Sequence, residues 1–277
     1  TALAAIGQTF PIYFIIIALG IGLSIATTSI VANSIGENNF KKASNIYCQS
    51  LCLAIIVGIF ISIIGISYGS NVLKSINSDE NTLILSVEYM NIIYLGSIFI
   101  LLLMVTNSCL AALGDTKSYR NVLIFSFFLN IILNPILISG NIFNISLFSP
   151  LGIKGIALAT ILSQLIGLIY LLYKITKTEI YSNFKKNFLI PKFVLLREIL
   201  FQGIPASIGL MMIALGSYIL LYFVSIHGNN AIAGFASAGR YEQLLFLPLL
   251  GLSTAVTSIV GQNLGARQTE RITETFK

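Results

Sequence analysis

Seven long apolar runs, parted by short polar stretches, make up most of this 277-residue chain. They fall at approximately 9–35, 44–73, 83–113, 118–140, 152–176, 194–226 and 230–264. Most exceed the ~20 apolar residues that a helix needs to cross a bilayer. None alternates apolar and polar residues over ~10 positions, as the strands of a membrane β-barrel do. The pattern predicts an all-α polytopic membrane protein. The first run, from Phe10 to Val31, is too long for the apolar part of a signal peptide and lacks a basic leader.

Composition agrees with lipid as the main solvent. Apolar residues make up 56% of the chain, charged residues 9%, and mean hydropathy is +0.91. Soluble domains carry about 25% charge, so this chain has too little to cover a water-facing surface. The net charge of +6 is unevenly placed. Loops 36–46, 114–120, 174–198 and 264–277 hold 13 of the 16 Lys and Arg residues. The intervening loops hold only Lys74 and Lys154, and Arg240 lies inside a run. By the positive-inside rule the basic loops are cytoplasmic, in a multi-pass protein of the cell (inner) membrane. The charge is thus a topology signal, and no basic–aromatic patch points to nucleic acid. Cys48, Cys52 and Cys109 are read as small buried apolar residues, and with His227 the only histidine no metal site is expected.

One apolar stretch is written twice. Residues 22–36 (GLSIATTSIVANSIG) and 251–265 (GLSTAVTSIVGQNLG) agree at nine of fifteen positions, with equivalent residues 229 apart. The copies sit in the first and seventh runs, six positions apart, so both cross the membrane in the same direction. That is a parallel repeat of a six-helix unit, with its axis along the membrane normal. The chain then reads as one nearly complete lobe (1–176), a cytoplasmic connector (177–197) and the start of a second lobe (198–277). Within the first copy Gly22, Ala26, Ser29 and Asn33 form a small or polar stripe for close helix contact or a cavity wall. Gly36 and Gly265 suit left-handed C-caps.

The stretches SIVANSIGENNFKKAS (29–44), CLAALGDTKSYRNVLIFSFFLNIILNPILISG (109–140) and LGIKGIALATILSQ (151–164) resemble the multidrug and toxic compound extrusion (MATE) transporters. In the second lobe QGIPASI (202–208) and SIVGQNLGARQTERI (258–272) resemble the same family. The resemblance spans nearly the whole chain, in the order of family helices two to eight. It implies a twelve-helix protein of two lobes that exports compounds in exchange for H⁺ or Na⁺. It also implies that the face of Asn130 and Asn134 looks into the first lobe's cavity. Some members carry Asp where Asn134 stands, in a proposed proton or cation site; an amide cannot take that proton.

The candidate residues follow from the same chain. Asn130 and Asn134 lie one turn apart, and Pro135 frees backbone carbonyls for a neighbour or an ion. Thr160 and Gln164 are spaced to face the same cavity. Glu88, Arg240 and Glu242 are ionisable residues within runs, each costly to bury unless paired, protonated or hydrated. Gly114 is placed at a helix end, with Asp115 or Thr116 capping the next helix. Pro11, Pro135, Pro205 and Pro248 fall inside runs, where proline bends helices.

These readings converge on a secondary active multidrug exporter of amphipathic or cationic organic compounds, working by alternating access as a monomer in the bilayer. No cofactor beyond the coupling H⁺ or Na⁺ is expected, and no catalytic residues. A flippase for lipid-linked saccharides is the nearest alternative, with an intramembrane enzyme or a channel further off. The repeat makes an expectation about the gene: the reading frame should hold one more span upstream and about four downstream. A native start at Thr1 would contradict the two-lobe reading.

Overall fold

A computed structural model describes residues 2–76, 80–142, 145–146, 149–225 and 229–275. Seven long helices take up the seven runs: α1 (Ala2–Gly36), α2 (Phe40–Ile76), α3 (Glu80–Ala112), α4 (Lys117–Ser139), α5 (Ile153–Ile175), α7 (Phe193–Ser225) and α8 (Asn229–Gly265). Short elements join or follow them: β1 (Asn141–Ile142) paired with β2 (Ile145–Ser146), α6 (Glu179–Ser182), a 3₁₀ turn over Lys186–Leu189, and α9 (Thr269–Glu274). Among the described residues six of the long helices, α1 to α5 and α7, are long and apolar enough to cross a membrane. Many side chains of α8, Arg240 among them, lie outside the described set. The four prolines all sit inside continuous helices.

The packing is that of a protein dissolved in lipid. α3 is the central helix, in contact with α1, α2 and α5, while α4 packs chiefly on α5. Consequently Phe127 and Phe128 of α4 and Phe60 and Ile63 of α2 are all about 60% exposed, apolar surface that acyl chains cover. Two apolar clusters form the interior. One lies at the end bearing the basic loops and centres on Ile46, Leu101, Leu110 and Leu171; the other lies towards the opposite end around Met90 and Ile93. Tyr89 turns into this second cluster.

Helix ends at the basic side share one design. α1, α3 and α8 each close with a bond from an N–H to the carbonyl five residues back: Asn39 to Ser34, Asp115 to Leu110, and Gln268 to Asn263, all at 2.9 Å. The left-handed residue before each donor is Asn38 (φ 55°), Gly114 (φ 86°) and Arg267 (φ 57°). This places Gly114 as expected and corrects the reading of Gly36 and Gly265. Both are helical, and the left-handed caps fall two residues later. Close contact requires glycine at 36 and 265, so Asn and Arg take the strained positions.

Gln49 does most to fasten the segment before α7 to α2. Gln49, fully buried, donates through Nε2 to the carbonyls of Phe188 (2.7 Å) and Ile190 (2.8 Å). Its Oε1 accepts the N–H of Lys192 at 2.7 Å. Each buried backbone group left unpaired costs about 1–3 kcal/mol. Gln49→Leu is therefore expected to destabilise the protein by about 2–4 kcal/mol, read as a lower unfolding temperature in detergent. An unchanged unfolding temperature would show that the clamp is dispensable.

Candidate functional site

Polar side chains on α4 and α5 meet in one place. Asn130 donates from Nδ2 to the Ser126 carbonyl (2.8 Å) and to Ser163 Oγ (3.0 Å), which ties α4 to α5. Ser163 in turn donates to the Ala159 carbonyl at 2.8 Å. One turn along α4, Asn134 Oδ1 is buried without a hydrogen-bond partner, among the described residues. On α5, Thr160 donates to the Ile156 carbonyl at 3.1 Å, and both Thr160 and Gln164 are half-buried beside Ser163. Ser163 was not singled out from the sequence, though it shares the face of Thr160 at i+3. The group offers amide and hydroxyl oxygens, one of them lacking a donor. Such a set accepts a hydrogen bond or a cation, and it cannot itself carry a proton.

The ionisable candidates stand apart from that group. Glu88 on α3 pairs with Lys154 on α5 at 3.0 Å, at the end away from the basic loops, with both side chains partly exposed. Lys154 was read from the sequence only as a loop charge. Glu242 lies exposed on α8, and the Arg240 side chain falls outside the described residues. At the α3–α4 turn Thr116 occupies the cap position, yet its hydroxyl makes no capping bond. Asp115 makes it instead, accepting from the Ser118 N–H (3.0 Å) and Oγ (2.6 Å). Partial burial would raise the Asp115 pKa. The Ser118 bonds and nearby Lys174 outweigh it and hold the carboxyl below its usual value. Among the described residues no three His, Cys, Asp or Glu side chains group as metal ligands.

A third arrangement joins the two copies of the repeat. A Cβ on Gly36 of α1 would strike the Gln262 carbonyl of α8, and one on Gly265 would strike the Asn33 carbonyl of α1. A Cβ on Gly261 would lie 2.8 Å from that of Ala32. Gly36 and Gly265 are equivalent positions, as are Asn33 and Gln262, and Ala32 and Gly261. Exchanging partners in this way is the signature of a two-fold contact. It is reinforced from α8 to the end of α3, where Ser258 Oγ donates to the Ala111 carbonyl (2.8 Å) and Gln262 Nε2 to that of Ala112 (2.6 Å). Further up α1, Gly22 abuts Gly203 and Ser207 of α7, where Pro205 lies between them in sequence.

Comparison with known proteins places this geometry. A family model described as MatE matches residues 1–136 and 205–277. The chain is 27% identical to the probable multidrug resistance protein YoeA of Bacillus subtilis (strain 168), covering 100% of this chain and 59% of that protein. It is 30% identical to the probable multidrug resistance protein NorM of Thermotoga maritima, covering 98% of this chain and 57% of that protein. The chain thus spans under two thirds of the length of these relatives. A solved structure, the outward-facing conformation of a multidrug resistance MATE family transporter, superposes with TM-score 0.86 at 29% identity, covering 99% of this chain and 60% of that one.

The two asparagines should separate in stability measurements. Asn130→Leu loses two hydrogen bonds and is expected to cost about 1–3 kcal/mol. Asn134→Leu removes a buried oxygen that has no partner and is expected to leave the unfolding temperature unchanged or raise it. Equal losses at both sites would show that Asn134 also holds the fold together.

Proposed function

The chain belongs to the MatE family, and from that premise we propose that it forms the first lobe and the opening helices of the second in a secondary active exporter. The observation that carries this reading is the α1–α8 crossing, where equivalent residues of two repeats touch in exchanged pairs. A parallel repeat meeting at its own axis is one of the frames on which alternating access is built. On this reading residues 1–176 are the first lobe, 177–197 the connector and 198–277 the start of the second lobe. The crossing closes the basic-loop end, which the charge bias makes cytoplasmic. The opposite end is then the open one, and the likeness to an outward-facing relative supports that state.

The substrate class proposed is small amphipathic or cationic organic compounds, in line with the multidrug resistance names of the relatives. Asn134 and Asn130, with Thr160, Ser163 and Gln164, form the proposed polar wall of the cavity. Uptake of one charge down 100 mV supplies about 2.3 kcal/mol towards export of a neutral compound. For a cation exchanged one for one the potential cancels, and the H⁺ or Na⁺ concentration gradient is the drive. A proton needs a carboxylate, and Asn134 is an amide. Of the acids in the long helices of this chain, Glu80 and Glu198 stand near the starts of α3 and α7 and Glu88 is engaged by Lys154, so Glu242, well inside α8, is the proposed proton carrier.

In vesicles, the full-length protein should export a cationic dye only under an imposed H⁺ or Na⁺ gradient. Dye movement without a gradient would argue for a channel. Asn134→Leu is expected to lower the export rate about tenfold or more while the protein stays folded. Glu242→Gln should abolish drive by H⁺; full H⁺-driven export in that variant removes Glu242 from the coupling. Gly36→Leu should stop export by wedging α1 from α8, and wild-type turnover in it would show that the crossing is not a closure.

A further inference from the structure

The segment between α5 and α7 is built as a surface rather than as a loose link. Gln49 binds the carbonyls of Phe188 and Ile190 and the N–H of Lys192, and the thiol of Cys52 donates to the Leu189 carbonyl at 3.2 Å. Three successive carbonyls therefore face α2. The Phe188 ring is buried, while Leu189 and Ile190 stand 49% and 64% exposed. Ahead of them Tyr181 and Phe184 stack with ring centroids 6.1 Å apart and 4° between planes, and both remain exposed. At the end of α5 the Lys177 ammonium lies 4.5 Å from the Tyr173 ring centroid. Lys185 and Lys186 are exposed beside the stacked pair.

Charge and apolarity coincide here in a way that neither water nor an acyl interior satisfies. Residues 174–192 contain five lysines against a single carboxylate, Glu179. The α5 span ends at Ile175, so the exposed Tyr181, Phe184, Leu189 and Ile190 lie beyond the hydrocarbon-crossing part of the chain. A hydrated linker has no use for exposed aromatic and aliphatic side chains set among lysines. The headgroup layer has a use for both: aromatic rings seat at that depth, and juxtamembrane lysines attract anionic lipid. Lysines that served topology alone would require no clamped backbone and no apolar companions.

We propose that residues 177–192, held rigid by Gln49, form a platform that seats on anionic phospholipid headgroups at the membrane surface. Lys177, Lys185 and Lys186 meet the phosphates, while Tyr181, Phe184, Leu189 and Ile190 enter the boundary between headgroups and acyl chains. The clamp sets the platform's orientation relative to α2, so lipid and helix grip the connector from opposite sides. This holds whatever the exporter carries.

The test places a fluorophore on the platform. This chain has no tryptophan, so Tyr181→Trp in the full-length protein adds a signal read as the difference from the parent. The variant is reconstituted in phosphatidylcholine vesicles containing a matched fraction of brominated phosphatidylglycerol or brominated phosphatidylcholine. The expected result is quenching about twofold or more stronger with the brominated anionic lipid. Adding Lys185→Gln and Lys186→Gln should level the two lipids while the unfolding temperature stays constant. Equal quenching by both lipids would reduce the lysines to a topology signal and overturn the proposal. So would the absence of quenching, which would mean a segment standing in water and open to a soluble acidic partner. A preference that survives removal of both lysines would likewise overturn their role.

Discussion

Two helices can touch backbone to backbone only where neither presents a side chain, and the α1–α8 crossing rests on that limit. Gly36 and Gly265 each lie against a carbonyl of the other helix, with Ala32 opposite Gly261 one turn away. The consequences spread outward from this point. Glycine is taken for the contact, so the left-handed caps move on to Asn38 and Arg267, where a side chain must tolerate a positive φ. The crossing also brings α8 to the end of α3, where Gln262 donates to the Ala112 carbonyl and Ser258 adds a second donor to the Ala111 carbonyl, which already accepts the Gly114 N–H. Placement of the second copy of the repeat against the first thus draws on four small residues and two hydrogen bonds.

Lipid sets the second constraint. Many hydroxyl side chains inside the helices return their hydrogen to a carbonyl one turn back, as Thr27, Ser34, Thr106 and Thr160 do. In hydrocarbon this is the cheapest satisfaction available, and it adds nothing to packing. A smaller set reaches across: Ser24 and Thr28 of α1 to carbonyls of α3, and Asn130 of α4 to Ser163 of α5. These cross-links bind α1 and α4 to helices whose apolar faces alone would not distinguish protein from acyl chain. Against that background four buried side-chain atoms lack a partner among the described residues, Ser44 Oγ, Asn45 Oδ1 and Ser50 Oγ on α2 and Asn134 Oδ1 on α4, and Asn134 alone of them adjoins the α4–α5 polar group.

Much of this was legible in the chain, and what escaped has a physical reason. Run lengths placed all seven helices to within a few residues, apart from longer ends on α1 and α2, because a bilayer imposes one length scale on every span. The repeat located the α1 and α8 helices that meet, and the GDT turn marked the α3–α4 corner. The role of Gly36 and Gly265 was misread because one residue type serves both left-handed turns and close approach, and only the neighbour decides between them. Glu88–Lys154 and Gln49 were hidden for a related reason. Their partners lie 66 and about 140 positions away in sequence, and no periodicity carries information over that range. Asn130 and Asn134 were visible as a pair, but their division into a bonded and an unbonded amide depends on where α5 places Ser163.

If the lobes rock as proposed, the crossing must part and close again on each cycle, and its chemistry suits that task. Interlocked side chains would have to leave rotamer wells and repack at every separation. Apposed glycines present flat backbone instead, so parting the helices exposes little apolar surface and disturbs no rotamers. The groups that must be unmade are few: the donors of Ser258 and Gln262, and the carbonyls of Ala111 and Ala112. Each is a neutral hydrogen bond worth about 0.5–1.5 kcal/mol net, and water entering the basic-loop end would satisfy the freed partners. The contact at Gly22, Gly203 and Ser207 is of the same kind but lies deeper, further from the end where water enters. A closure made of flat backbone and a few neutral hydrogen bonds can part without repacking a core, which suits a contact that opens repeatedly.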